Sequence, residues 1–517
     1  MDNTGGYPDI YEQVHYGLQK QTPSYQSEFP HDLPFDPGVT SSLFELNYFP
    51  STGSRLLLLI PIILLMLVIY FRKYVRNDLG QLGFVLAMAV VFFGPLRLPS
   101  FFPFNTTLGL VKGIGLLLVC YAGFMIFFKR LRFDIFEIPS LTRVCMYVLS
   151  LLLSVFVMTN PSFFVQDFGI MISGIVFFFL GYMFFTWDMG RSIILLWARL
   201  LFIPSAIVLL IFMNQGLGKE IVSLLFLRYE NFVFIHDLAR GRIFSVIDFE
   251  YFIPCVVIFL ASSMFRKKHF PTMQFSLLTT LSFAAILLVN YRYRFLTYLL
   301  GLAAVSVFTK KAASSIRRTT VILLTILGVL YFSLSMVFFR STILDRFLVR
   351  DYYEDQVSID RRFVMYQQAW ELFLEKPILG VGLGNYKDNV QIVYSRFGGR
   401  TYEPYYKILQ NVYAYPHNWF LTVLAENGIV GFAVLMWLLG MFFVMDMRLY
   451  KKLTGDPLLT FVIISVIGWL FVFANLFTMM HVSLSMVIVF WACRGMIERM
   501  YHEKFAGRAT PTGNKSE

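Results

Sequence analysis

The chain has 517 residues, of which 57% are hydrophobic, 18% aromatic and only 15% charged, and its formal charge is +12. Soluble domains are about one quarter charged, so this composition excludes a water-soluble globular protein and indicates an integral membrane one. The basic excess does not mark a nucleic-acid binder: it sits in short loops between apolar runs, with no aromatic-interleaved basic surface outside them.

Residues 1–55 read as an acidic, disordered tail. Between Met1 and Pro50, Asp2, Asp9, Glu12, Glu28, Asp32, Asp36 and Glu45 stand against a single lysine, Lys20, amid Pro, Tyr, Gln and Ser. A segment so poor in positive charge can be translocated, which places it outside. Residues 56–339 hold the first ten of about thirteen expected spans. Runs such as "LLLLIPIILLMLVIYF" (56–71) and "GIVFFFLGYMFFTW" (174–187) are apolar on all sides. Each approaches the roughly 20 residues of a membrane-crossing helix and lacks the alternation of a barrel strand. Spans are expected to start near 56, 79, 108, 141, 169, 192, 250, 274, 295, 319, 418, 457 and 476. The predicted fold class is therefore an all-α polytopic membrane protein, with a large external loop that contains an amphipathic helix.

The short basic loops "FRKYVRND", "FKRLRF", "RKKH", "KKAASSIRR" and "MRLYKK" follow the pattern of cytoplasmic loops. The intervening loops, including 94–107, 159–168 and 475–481, are then external. So are "HDLARGRIFSVIDFE" (236–250) and the tight "NYRYRF" (290–295). Arginines in external loops oppose the positive-inside trend. Arg240, Arg242, Arg292, Arg294 and Arg362 can snorkel to headgroups, but two guanidiniums in one tight turn point to function. Their parallel donors suit phosphate oxygens.

The largest external loop, 340–416, is near neutral, with ten Lys and Arg against nine acids. Within it "RRFVMYQQAWELFLEKP" (361–377) places Phe363, Tyr366, Trp370 and Phe373 at helical spacing. Arg361, Gln368, Glu371 and Glu375 fall toward the other side, which predicts an amphipathic helix ending before Pro377. "GVGLGNY" (380–386) resembles a phosphate loop in composition but has neither the preceding strand nor the following helix that such a loop requires. It reads as a tight external turn. Residues 417–497 hold the last spans and 498–517 a cytoplasmic tail. At the mouth of the first of these spans, His417 is either an interfacial cap or a general base. Glu426 is either a packing partner or a supporting carboxylate. Cys120, Cys145, Cys255 and Cys493 lack metal-ligand spacing and read as small buried hydrophobes rather than a disulfide framework. A multispan transporter or lipid-glycan flippase would carry charges within spans and paired repeats; the first are few and the second absent.

"RFVMYQQAWELFLEKPILGVGLGNY", followed by "HNWFLTVLAENGIVGFAVLMWLL", resembles the O-antigen ligase and polymerase superfamily. Its members carry an Arg before a Pro-x-x-Gly-x-Gly turn, then His-Asn opening a helix with Glu-x-Gly-x-x-Gly. Here these are Arg362, Pro377, Gly380, Gly382, His417, Asn418, Glu426, Gly428 and Gly431. "RGRIFS" and "NYRYRF" occupy the slots of two further family arginines, more loosely. The resemblance implies a cofactor-free, metal-independent glycosyltransferase in the bacterial inner membrane, with its active site facing the periplasm. It would move a glycan from an undecaprenyl-diphosphate-linked oligosaccharide to an acceptor, either a lipid A core or a growing polysaccharide. It implies His417 as the catalytic base, with Asn418 and Glu426 supporting it. Arg242, Arg362 and either or both of Arg292 and Arg294 would bind the diphosphate.

Overall fold

The computed structural model of the protein describes residues 78–91, 107–128, 135–200, 365–386, 388–389, 416–452, 469, 471–472, 475–476 and 484–505. Among these the regular structure is helical throughout. In chain order the elements are α1 (Leu79–Val91), α2 (Thr107–Phe127), α3 (Leu141–Leu153), α4 (Pro161–Phe184) and α5 (Trp187–Leu200). They continue with α6 (365–375), α7 (Trp419–Lys452) and α8 (Leu484–Phe505). Gly109–Phe127, Pro161–Phe184 and Trp419–Lys452 are long and apolar enough to cross a membrane. The protein is a multi-pass all-α membrane protein. The acidic tail 1–55 and the spans expected near 56, 250, 274, 295, 319 and 457 lie outside the described residues.

Two boundaries and one buried face differ from the sequence expectation. α4 starts at Pro161, not near 169, so most of the expected loop 159–168 is helix. The cause is local: the Asn160 side chain accepts from the Ser162 backbone N–H at 3.1 Å and Pro161 fills the first helical position. Both are strong start signals. At the other end of the chain, α8 continues to Phe505, into the expected tail. α6 also turns differently. Its buried face is Met365, Gln368, Ala369 and Leu372, while Trp370 is 46% exposed and lies tilted against Phe373, ring centroids 5.2 Å apart. Of the aromatic stripe, Trp370 faces outward and Tyr366 and Phe373 are half-buried, while Phe363 lies outside the described residues; partly exposed aromatics suit the membrane–water interface.

The core of the described bundle is the α4–α8 pair, which packs closely because small residues line the crossing. A Cβ on Gly181 would stand 2.5 Å from the Ala492 carbonyl oxygen, so only glycine permits this approach. α5 is tied to α1 by the buried Trp197 indole, which donates to the Met88 carbonyl at 2.8 Å. Near the end of α7, Asp446 accepts from Arg494 of α8 and from the Trp469 indole, both at 2.7 Å. The guanidinium lies 5.0 Å from the Phe442 ring centroid. A buried ion pair of this kind adds little net stability, because desolvating both charges offsets their attraction. Of the cysteines, Cys493 is buried as expected, but Cys120 and Cys145 are exposed on the bundle's outer surface.

Candidate functional site

α7 is not one continuous helix. Gly428 has φ 61° and ψ −164°, which splits it into a short half-helix, 419–427, and a long one, 429–452. An unbroken helix would have Ile429 and Val430 donate to the Ala425 and Glu426 carbonyls. Here those four groups bond elsewhere. Ile429 N–H donates to Pro377 O at 2.8 Å and Val430 N–H to Ile378 O at 3.3 Å. The freed Ala425 and Glu426 carbonyls accept from Val381 N–H at 3.0 Å and Gly382 N–H at 2.8 Å. The Gly-rich turn thus replaces two missing helical hydrogen bonds with four of its own. Broken backbone at membrane depth is tolerated only where such replacements exist.

The chain geometry needs glycine at two points of this joint. Gly380 has φ 70°, and a Cβ there would lie 2.5 Å from the carbonyl oxygens of both Ala425 and Glu426. A Cβ on Gly428 would lie 2.7 Å from Leu379 N and would also collide with the Ile378 carbonyl. The turn reaches the outer end of α4 as well. Asn385, fully buried, accepts from Thr159 Oγ1 at 3.0 Å and from the Asn160 N–H at 2.6 Å. Asn389 adds a bond to Thr159 Oγ1 at 3.2 Å.

Glu426 completes the joint. It is 2% exposed, and its Oε1 accepts from the Tyr386 backbone N–H at 3.2 Å. The Tyr386 hydroxyl donates to the Met365 carbonyl of α6 at 3.2 Å. Burial pushes this phenol above its ordinary range and the Glu426 charge adds to the shift, so it remains a donor. The N–H groups of Val381, Gly382, Asn385 and Tyr386 are all committed to protein acceptors. A phosphate cradle needs such groups pointing at the ligand, and this turn instead reads as a structural clasp. Glu426→Ala strands the Tyr386 N–H in the core and should destabilise the protein by about 1–3 kcal/mol. Glu426→Gln keeps an accepting oxygen and should cost less. Thermal unfolding of the two purified variants, compared with the parent, checks the order.

His417 opens the short half-helix. It is half-buried, and its φ of 49° lies in the left-handed region, where histidine and asparagine are enriched among non-glycine residues. Asn418, not His417, is the helix cap: its Oδ1 accepts from Leu421 N–H at 3.1 Å. The Asn418 side chain also donates to Leu476 O at 3.2 Å, and Trp419 N–H donates to Asn475 O at 2.7 Å. Tyr366 of α6 reaches the same Leu476 carbonyl at 3.4 Å. The turn carrying His417 is therefore pinned on one side by residues 475–476. Nine residues below it, Glu426 pins the half-helix to the Gly-rich turn.

The structure thus sets Asn418 and Glu426 at opposite ends of the short half-helix, with His417 on the turn that leads into it. Arg242, Arg292, Arg294 and Arg362 lie outside the described residues. Sequence reasoning missed Asn385, Tyr386 and Asn427, although Glu-Asn-Gly inside an apolar run is a signal for a broken helix. Among the described residues no cluster of three His, Cys, Asp or Glu side chains could hold a metal.

A family model described as O-antigen ligase matches residues 277–436. The matched segment includes Arg292, Arg294, Arg362, the Gly-rich turn, His417 and the Glu426–Gly431 stretch; Arg242 falls before it. No curated protein matches the chain.

Proposed function

Because the chain belongs to the O-antigen ligase/polymerase superfamily of glycosyltransferase-type membrane enzymes, we propose that it transfers a glycan from undecaprenyl-diphosphate to an acceptor hydroxyl. The transfer takes place at the periplasmic face of the bacterial inner membrane. The acceptor is a lipid A core in a ligase or a growing polysaccharide in a polymerase. His417 is the general base. It takes the proton of the acceptor hydroxyl as that oxygen bonds to the anomeric carbon. The bond from that carbon to the diphosphate oxygen breaks, and its electron pair leaves with the diphosphate. Arg242, Arg362, and Arg292 or Arg294 hold the diphosphate and stabilise the charge that grows on it. Fixed donors of this kind act most strongly where charge develops. Guanidiniums can meet this demand without a divalent ion, because the leaving group needs charge rather than a particular metal.

One observation carries the reading. The two halves of the family motif, separated by about thirty residues of chain, are joined by backbone at the break in α7. A joint that commits a glycine-rich turn and a helix break to hold nine residues of helix is well suited to fixing one side chain at its tip. The support is therefore for His417 as a positioned group.

Purified full-length protein, given undecaprenyl-diphosphate-linked oligosaccharide and either acceptor in the presence of a chelator, should form product with inverted anomeric configuration. Which acceptor is consumed separates ligase from polymerase. Retained configuration would overturn the single displacement, and a strict requirement for Mg²⁺ or Mn²⁺ would overturn the metal-free mechanism.

A further inference from the structure

The short half-helix of α7 begins, like any helix, with backbone N–H groups that have no partner inside it, and every helix ends with carbonyls in the same position. Asn418 meets two of these needs itself, accepting from Leu421 N–H through Oδ1 and from Thr422 N–H through its carbonyl. The Trp419 N–H is met from outside, by the Asn475 carbonyl at 2.7 Å.

That carbonyl belongs to the end of another helix. Phe471 and Val472 are helical, while Asn475 and Leu476 form a turn. Asn475 is fully buried, and it grips the Phe471 carbonyl twice: through its backbone N–H at 3.1 Å and through side-chain Nδ2 at 2.8 Å. Side-chain bonds to nearby backbone compete with helix continuation. The carbonyls of Asn475 and Leu476 face the His417 turn instead. Leu476 O accepts from Asn418 Nδ2 at 3.2 Å and from the Tyr366 hydroxyl at 3.4 Å. A helix end in need of donors thus meets a helix start in need of acceptors.

Aromatic packing fixes the same joint. Trp419, two residues after His417, is buried, with its ring edge-on to Phe471 at 5.9 Å and to Phe490 of α8 at 6.4 Å. Phe471 and Phe490 stack at 4.7 Å. Phe471 therefore serves both contacts: its ring packs on Trp419 and its carbonyl holds Asn475. Both Phe471 and Asn475 fall after the segment matched by the family model, which ends at 436.

We propose that Asn475 is a positioning residue for His417: its side chain grips the Phe471 carbonyl and so sets the carbonyls of residues 475 and 476 against the turn that carries the base. This rests on the role proposed above for His417. Asn475 acts on the rate through the placement of the imidazole, without touching either substrate.

Single-turnover transfer by the full-length protein in lipid, at saturating undecaprenyl-diphosphate-linked oligosaccharide, tests this beside binding of the same oligosaccharide. Asn475→Ala removes the amide that grips Phe471. Asn475→Ser restores a group that can donate to the carbonyl four residues earlier. Asn475→Ala should lower the transfer rate by about 10- to 100-fold, since a misplacement of about 1 Å costs that much, and leave oligosaccharide affinity unchanged. Asn475→Ser should recover most of the loss. The parent's rate in Asn475→Ala, equal losses in the two variants, or weakened oligosaccharide binding would each overturn the proposal.

Combination with His417→Asn gives the sharper readout, because groups that act as a unit are not additive. With the base gone there is nothing left to position, so the double variant should be no slower than His417→Asn alone. A further loss would overturn the proposal. His417→Asn by itself separates the two readings. If it keeps the parent's rate, the base assignment fails; if it is slow while Asn475→Ala is not, only the role of Asn475 fails. Should Asn475→Ala not fold, Asn475→Asp, which keeps the shape but lacks the amide N–H groups, replaces it in each comparison.

Discussion

Gly380→Ala is expected to unseat the Gly-rich turn and to lower both the melting temperature and the transfer rate. Alanine at φ 70° meets the left-handed penalty of about 1–2 kcal/mol. Its methyl group would also lie 2.5 Å from two carbonyl oxygens of the half-helix, and overpacking a tight contact costs roughly 1–3 kcal/mol. Neither wall can yield easily, because both are backbone already bonded to the turn. Withdrawing the turn would release Val381, Gly382, Pro377 and Ile378 from the break, and with them the end of helix that supports His417.

Gly440→Ala is the matched control. It lies on the same helix, and nothing stands within 4 Å of where its Cβ would be. It should be neutral or slightly stabilising, since alanine is favoured over glycine in a helix interior by up to about 1 kcal/mol. Parallel melting curves and transfer rates of the two purified variants check the contrast. Equal behaviour of Gly380→Ala and Gly440→Ala would mean that the clasp does not hold the half-helix.

The sequence made the helical membrane class plain, because hydrophobic composition and span length follow directly from the solvent the chain must fold in. It also yielded the elements of the clasp one by one: Pro377, Gly380, Gly382 and Glu426 stood out by type and position, and Gly428 through the family resemblance. Their joining was not legible. Apolar residues run through both halves of α7, so hydropathy shows one helix where the backbone has two. The break depends on hydrogen bonds from a segment about fifty residues earlier, a tertiary fact that no local period carries. Glu426 was ambiguous for the same reason: its partner, the Tyr386 N–H, is set by the docking of the turn. At Trp370 the aromatic stripe of α6 misled, because helical spacing identifies a face but not what that face meets. Trp370 faces outward, and Gln368 is buried.

The second large effect concerns His417 itself. An alanine here would change two things at once, the base and a backbone at φ 49°. Asparagine separates them, since it tolerates the left-handed region but offers no basic nitrogen. His417→Asn should therefore keep the melting temperature of the parent and lose catalysis. Removing a general base typically costs 10²–10⁴-fold, that is on the order of 100-fold or more, in the chemical step.

The pattern of loss matters as much as its size. If the group acts on the acceptor proton only during transfer, kcat falls while donor binding does not. If His417 were an anchor for the headgroup or the diphosphate, KM for the donor would rise and kcat would hold. The most direct test is single-turnover transfer by full-length His417→Asn, reconstituted in lipid with saturating undecaprenyl-diphosphate-linked oligosaccharide, beside donor binding by the same sample. The predicted result is a transfer rate lower by about 100-fold or more with donor affinity unchanged. A variant that transfers at the parent's rate once the donor is saturating would contradict the assignment of His417 as the base.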